Sequence, residues 1–338
     1  MNAAEGPRVS AAEGPRRPLL GLTLPQFTER VEPALAACRD ARRLGFGGVF
    51  VFDHLWPLGQ RTRPALECWT LLAAVAAEAG RGPGAGGLRV GTLVTRAGLR
   101  APALVARMAA TVGQVAGTRP VIGVGRGDLA NQPENLAFGL PFGAPADRAR
   151  EVEDTVAALR GPQAGSRPTG APPWGSPDPS GSTGAPRRGS PDPSARPEVW
   201  VGGAGPGARD LAGRLADGWN GWAMTPEELA AGLAGVRRTA EQAGRDPGGV
   251  AGTWGGQVLV APDRHEAADR LARWGEGRPP AEVARVIAGD PDAVLARLRA
   301  LGDAGAAWCV LAVVGGHAAE ARAALAAAAG LSARDRNG

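Results

Sequence analysis

Lysine and tyrosine are both missing from this 338-residue chain, and each absence removes chemistry. Without lysine there is no side-chain amine for a Schiff base, so lysine-dependent aldolases and pyridoxal-phosphate enzymes are excluded. The lysine of a P-loop is excluded too. Without tyrosine there is no phenolic acid. Every one of the 38 basic residues is arginine. The three cysteines (Cys38, Cys68, Cys309) and three histidines (His54, His265, His317) are scattered, with no Cys-x-x-Cys or His-x-His among them. Neither a disulfide frame nor a metal centre is expected from that spacing. The chain opens without the apolar stretch of a secretory signal, and no apolar run approaches the ~20 residues of a membrane span. The expected setting is cytoplasmic, without a membrane partner. A net charge of +5 is modest for this length, and no arginine block is interleaved with aromatics. Nucleic acid is therefore not an expected partner.

What the chain has in quantity is alternation. Short apolar runs at residues 19–24, 48–52, 88–94, 120–125, 198–201, 218–222, 252–261 and 307–314 read as strands. Helical spacing follows nearly every one, at 31–44, 66–79, 102–116, 146–160, 207–215, 226–243, 265–274, 291–301 and 318–329. Alternation of this kind argues for parallel βα units, and eight of them argue for a closed (β/α)8 TIM barrel. A Rossmann-type sheet is the runner-up. The barrel is expected as a single domain over 18–331, between an N-terminal tail at 1–17 and a C-terminal tail at 332–338. The first tail carries Ala-Ala-Glu-Gly-Pro-Arg twice, a low-complexity pattern.

Residues 161–196 break the rhythm. They are mostly Gly, Pro, Ser, Thr and Asp, and the runs beginning at Thr169 and Gly175 recur at Thr183 and Gly189. So many prolines permit neither helix nor interior strand. The segment reads as a flexible low-complexity loop insertion between units four and five.

Ligand sites of α/β barrels lie at the carboxyl ends of the strands. The second strand ends in Asp53-His54-Leu55-Trp56-Pro57, placing an acid, an imidazole and an indole together. Asp53, His54 and Trp56 are the candidate catalytic residues. After the fourth strand comes Gly123-Val124-Gly125-Arg126-Gly127-Asp128. This is either a turn that lets backbone approach a ligand or a glycine-rich loop with Asp128 as a helix cap. After the fifth comes Gly202-Gly203-Ala204-Gly205-Pro206, opening a helix. Exposed backbone N–H groups there, with the helix dipole behind them, suit an anion such as phosphate. The dinucleotide fingerprint is present in form only. It follows four βα units instead of opening a domain, and Asp217 lies too close and before its strand.

Taken in order, these pieces resemble the luciferase-like monooxygenase superfamily, especially its branch using the deazaflavin coenzyme F420. The matching runs are residues 50–55, 67–72 and 90–95, then Arg100-x-Pro102, 108–112, 199–203, 216–220 and 288–294. Gly125-Arg126-Gly127-Asp128, with Asn131 beyond it, is similar to the turn of the methylene-tetrahydromethanopterin reductases and of F420-dependent sugar-phosphate dehydrogenases. The resemblance implies a (β/α)8 barrel, usually a homodimer, with the coenzyme across the strand ends. It implies a bulge with a non-proline cis peptide at Leu93–Val94, so that Leu93, Val94 and Thr95 underlie the ring. It places Asp53 and His54 beside the deazaflavin and Asp128 near its pyrimidine end, with Gly125, Gly127 and Asn131 also binding the coenzyme. Gly202, Gly203, Ala204 and Gly205 are then its phosphate site, and Trp56 faces the reacting centre.

The expected reaction is hydride transfer between F420 and a small organic substrate. His54 exchanges a proton with that substrate and Asp53 orients the ring. Without lysine, a sugar phosphate is a poor fit. An FMN-dependent monooxygenase fed by a separate reductase, and a non-redox phosphate-binding barrel, are the alternatives.

Overall fold

We describe the chain from a computed structural model covering residues 17–57, 59–81, 87–161 and 196–332. The expected tails and the low-complexity insertion fall on 1–16, 162–195 and 333–338, outside the described residues.

Nine strands lie among the described residues, namely β1 (Leu19–Thr23), β2 (Gly48–Val51), β3 (Arg89–Arg96), β4 (Val121–Gly125), β5 (Glu198–Gly202), β6 (Gly218–Trp222), β7 (Ala251–Val260), β8 (Ile287–Gly289) and β9 (Ala306–Val313). Every pairing is parallel, and β1 to β7 with β9 close into a ring. The eight-stranded parallel barrel expected from the sequence is therefore present. The helices around it are α1 (Glu32–Leu44), α2 (Cys68–Ala79), α3 (Pro102–Ala116), α4 (Gln132–Ala137), α5 (Pro145–Arg160), α6 (Pro206–Leu215), α7 (Pro226–Gln242), α8 (Arg264–Gly275), α9 (Pro280–Val283), α10 (Pro291–Asp303) and α11 (Ala318–Ala329). Among the described residues no helix is long and apolar enough to cross a membrane.

The structure adds strand β8 and the short helices α4 and α9 to the sequence expectation. Strand β8 is only three residues long and pairs with β7 alone, at Val258–Val260, on the edge that β6 leaves after Gly255. Such a run is too short to show a period. Helix α4 spans barely more than a turn, which likewise gives no periodic signal.

The pleat of the strands explains two distinct cores. On β2, Val49 and Val51 face outward into the apolar layer shared with α1 and α2, where Cys38, Leu72 and Val75 are buried. Phe50, between them, points inward to Leu93, Val121, Trp200, Trp308 and Val310. Its ring stacks on Trp200 at 5.5 Å and meets Trp308 edge-on at 6.0 Å. These aromatics fill the lower barrel, each fully buried side chain contributing ~1.5–3 kcal/mol. The barrel interior is thus filled by these side chains.

Candidate active site

The second strand gives way at its carboxyl end to a turn clamped by Gln26. The buried amide of Gln26 accepts from the Phe52 N–H at 2.8 Å and donates to the carbonyls of Phe52 and Leu66, both at 2.8 Å. It replaces the ladder bonds that end with β2, and so fixes Asp53 and His54 on the rim.

Asp53 and His54 are neighbours that point into different environments. The Asp53 carboxylate is 1% exposed. One oxygen accepts from Thr95 Oγ1 at 2.7 Å, from the Arg96 N–H at 3.0 Å and from Arg100 Nη1 at 2.7 Å. Arg100 Nη2 reaches the other at 3.2 Å and also donates to Glu67, whose carboxylate caps α2 through the Trp69 and Thr70 amides. Trp69 Nε1 donates to Thr95 Oγ1 at 3.1 Å, completing a closed network. Burial opposes the Arg100 charge, yet the carboxylates of Asp53 and Glu67 beside it raise its pKa.

The sequence reading has Asp53 orienting His54; the structure puts Glu134 against the ring. Nδ1 of His54 lies 3.4 Å from Glu134 Oε2 and 3.5 Å from Asn131 Nδ2. Glu134 is fully buried on α4, where it also accepts from the Leu55 N–H and from Asn131 Nδ2 at 3.3 Å, and pairs with Arg96 Nη1 at 3.3 Å. Burial disfavours its charge. The His54 hydrogen bond, the Leu55 amide and the Arg96 cation outweigh that and hold its carboxyl below the usual range. Arg96 spans both environments, since its Nε donates to the Asp53 carbonyl at 2.8 Å.

Aromatic rings frame the imidazole. Phe27 and Phe52 stack at 6.1 Å and lie 6.4 and 6.5 Å from the His54 ring. Trp222, at the end of β6, meets Phe52 edge-on at 5.8 Å and is 42% exposed. Trp56 is buried beside Phe138 at 5.6 Å. Trp219 belongs to the core, but its Nε1 holds the Gly203 carbonyl at 2.9 Å.

Strand β3 carries a register shift between Thr92 and Thr95, and the Leu93–Val94 peptide is cis, as the resemblance implied. The Val94 side chain sits among three glycines of adjacent strands. A Cβ on Gly123, Gly125 or Gly202 would come within 2.8, 2.5 or 2.9 Å of its methyl groups. Beyond Gly125 the turn closes on itself. Asp128 caps the 3₁₀ turn Leu129–Asn131, accepting from the Ala130 N–H at 2.8 Å, while its own N–H donates to Asn131 Oδ1 at 2.9 Å. Asp128 thus fills the capping role open to it in the sequence, and the box delivers Asn131 to His54.

At the glycine turn after β5, Gly203 adopts φ +137°, which favours glycine. Helix α6 begins at Gly205 with no side-chain cap, and the space beside Gly205 and Gly207 is open. Gly203 and Ala204 are exposed. Free backbone N–H groups at an open helix N-terminus are a fit for a phosphate.

Several residues of this site, Arg96, Arg100 and Glu134 among them, lie outside the sequence candidates. Arg96 and Arg100 sat in runs that carried no signal alone, and Glu134 sat in a stretch with no predicted element. The one available clue to Glu134 was its spacing, three residues past Asn131 and directly after a helix-favouring proline.

The luciferase-like monooxygenase model matches residues 14–334. The chain belongs to the luciferase-like monooxygenase family. One relative is the phthiodiolone/phenolphthiodiolone dimycocerosates ketoreductase of Mycobacterium sp. (strain JLS), 33% identical over 191 residues. That match covers 55% of this chain and 46% of the relative, so the chain spans about half of that protein's length. Among solved structures, an F420-dependent secondary alcohol dehydrogenase in complex with an F420-acetone adduct superposes with a TM-score of 0.70 at 19% identity, covering 94% of this chain and 99% of its own. A riboflavin lyase with modified FMN and riboflavin superposes with a TM-score of 0.65 at 15% identity, covering 94% and 93%. At these identities the two structures speak for the shared fold.

Proposed function

We propose that this member of the family is an F420-dependent oxidoreductase that interconverts a ketone and a secondary alcohol bearing apolar substituents. The observation that carries the reading is the His54–Glu134 pair, a rim imidazole backed by a fully buried carboxylate and framed by Phe27, Phe52 and Trp222. A carboxylate behind an imidazole fixes the ring's orientation, which suits proton exchange with a substrate oxygen. The ring takes the hydroxyl proton as an alcohol becomes a ketone, and returns one to oxygen in the opposite direction. The charges of Asp53, Glu134, Arg96 and Arg100 are matched to one another, so what faces a substrate around the imidazole is aromatic. That lining favours a neutral, apolar carbonyl compound over a phosphorylated one.

F420, when bound, supplies the hydride chemistry. The amides of Ala204 and Gly205 at the open start of α6 suit its phosphate, Gly203 being held to the Asn220 carbonyl at 3.2 Å, and Gly202 with the Val94 platform suits its ring. The ketoreductase name of the mycobacterial relative and the alcohol dehydrogenase title of the structural neighbour support the same substrate class. FMN is the second reading, supported by the riboflavin lyase neighbour.

Fluorescence titration of the purified chain with F420 and with FMN, each alone, separates the two. Tight F420 binding, followed by alcohol-dependent reduction of F420, is expected. Binding of FMN alone would overturn the F420 reading, and binding of neither would favour a phosphate-binding barrel.

A further inference from the structure

Two guanidinium N–H groups behind the site end without a partner. Nη2 of Arg96 and Nε of Arg148 meet no acceptor among the described residues. Both side chains belong to residues deep in the protein, Arg96 being 6% and Arg148 7% exposed. Buried donors are nearly always paired, with protein, water or an ion, because an unpaired one keeps its full desolvation penalty. Both arginines line the same cavity, about 10 Å³ in volume. That is room for one water molecule or one single-atom ion.

The cavity wall decides between them. Arg148, the exposed Arg126 and Arg96, which is already paired with Glu134, line it beside a single carboxylate, Glu151. Burial, and then the neighbouring Asp147, raise the Glu151 pKa against the charge of Arg148. Besides the nearby charge of Glu151, Arg148 has two neutral contacts. Its Nη1 donates to the Gly127 carbonyl at 3.0 Å, and its guanidinium lies 4.4 Å over the Phe142 ring. Arg96 turns Nη1 toward Glu134 and Asn135, while its Nη2 is buried without an acceptor among the described residues. Two unpartnered cationic donors, on residues that line one small space with three arginines and one carboxylate, favour an anion over a neutral water.

We propose that this cavity is a binding site for one halide ion, chloride under physiological conditions, held by Arg96 Nη2 and Arg148 Nε. The ion ties the Gly125–Asp128 turn, through Arg148, to Arg96 and hence to the Glu134 carboxylate behind His54. The site needs no coenzyme and stands apart from the proposed reaction.

Thermal unfolding of the full chain in sodium chloride, sodium bromide and sodium gluconate at matched ionic strength tests it. Wild type should unfold roughly 2 °C higher in either halide than in gluconate. Arg148→Met should lose that difference, and bromide-soaked crystals should give an anomalous peak between the two arginines. Should Arg148→Met fail to fold, Glu151→Gln replaces it, and its halide response should equal or exceed that of wild type. Equal midpoints in all three salts, or a water or the Glu151 carboxylate at the bromide position, would overturn the proposal.

Discussion

Nδ1 of His54 lies 3.4 Å from Oε2 of Glu134, a carboxylate with no exposed surface, although the two residues are 80 positions apart in the chain. If His54 moves the proton, the two should fail differently when replaced. His54→Asn should cut turnover by roughly 100-fold or more, leaving coenzyme affinity nearly unchanged. Glu134→Gln keeps the shape but removes the buried charge that holds the ring in place, so its turnover should fall roughly tenfold with little change in coenzyme affinity. Steady-state kinetics across pH, with coenzyme titration alongside, reads both. Matched losses of turnover and affinity in His54→Asn would contradict the proton-transfer role.

Asp53, one residue earlier, should behave as a structural group. Its carboxylate is held by Arg100, Thr95 and the Arg96 amide. Removing one partner of a buried ion pair leaves an uncompensated charge, so Arg100→Met should lower unfolding free energy by about 3–5 kcal/mol. Combining it with Asp53→Asn should cost clearly less than the sum of the two single changes. Denaturant unfolding measures the cycle. A strictly additive result would mean that the pair does not act as a unit.

The barrel was legible because its strands are buried on both faces. Continuous runs such as Val49-Phe50-Val51 separate cleanly from the helical spacing of the segments between them. The rim was legible only by residue type. Asp53-His54 stood out at a strand end, but adjacent residues on a turn diverge, and nothing local indicates which way each carboxylate or ring faces. Glu134 reaches His54 because the Asp128–Asn131 capping box turns the chain back over the rim. That is a three-dimensional consequence of a four-residue motif with no periodicity to read. Arg96 and Arg100 were hidden for a related reason. In an arginine-only chain a buried, paired arginine looks like any of the exposed ones.

The glycines around Val94 make a prediction about shape. Gly125 lies where a Cβ would stand 2.5 Å from Val94 Cγ2, and valine's branched side chain has little freedom to retreat. Gly125→Ala should cost about 1–3 kcal/mol of stability from overpacking. It should also displace Val94 and weaken coenzyme binding more than it alters the pH–rate profile. Gly205→Ala, where nothing stands within 4 Å of the new Cβ, is the matched control for stability. Equal thermal midpoints for the two variants would show that the platform is not tightly packed.

Acid should find the Glu134 cluster early. Burial alone would raise the Glu134 pKa, but the hydrogen bonds from His54 and the Leu55 amide and the charge of Arg96 leave it below the ordinary value of 4.5. Glu67 is likewise lowered, with burial opposed by its cap bonds to Thr70 and Trp69 and by Arg100. A carboxyl whose folded pKa lies below its unfolded one adds stability that is complete above the unfolded value. That stability is lost as pH falls through the folded value, because the unfolded chain takes up the proton first. Each such group can steepen the acid side of the stability curve by at most ~1.4 kcal/mol per pH unit. Glu134→Gln removes one titrating group, so its stability should start lower at neutral pH and then decline less steeply below about pH 4.5. Unfolding midpoints in urea at half-unit steps from neutral pH downward compare the two slopes. Parallel curves for wild type and Glu134→Gln would mean that Glu134 has the same proton affinity folded and unfolded, and that its three partners do no more than offset its burial.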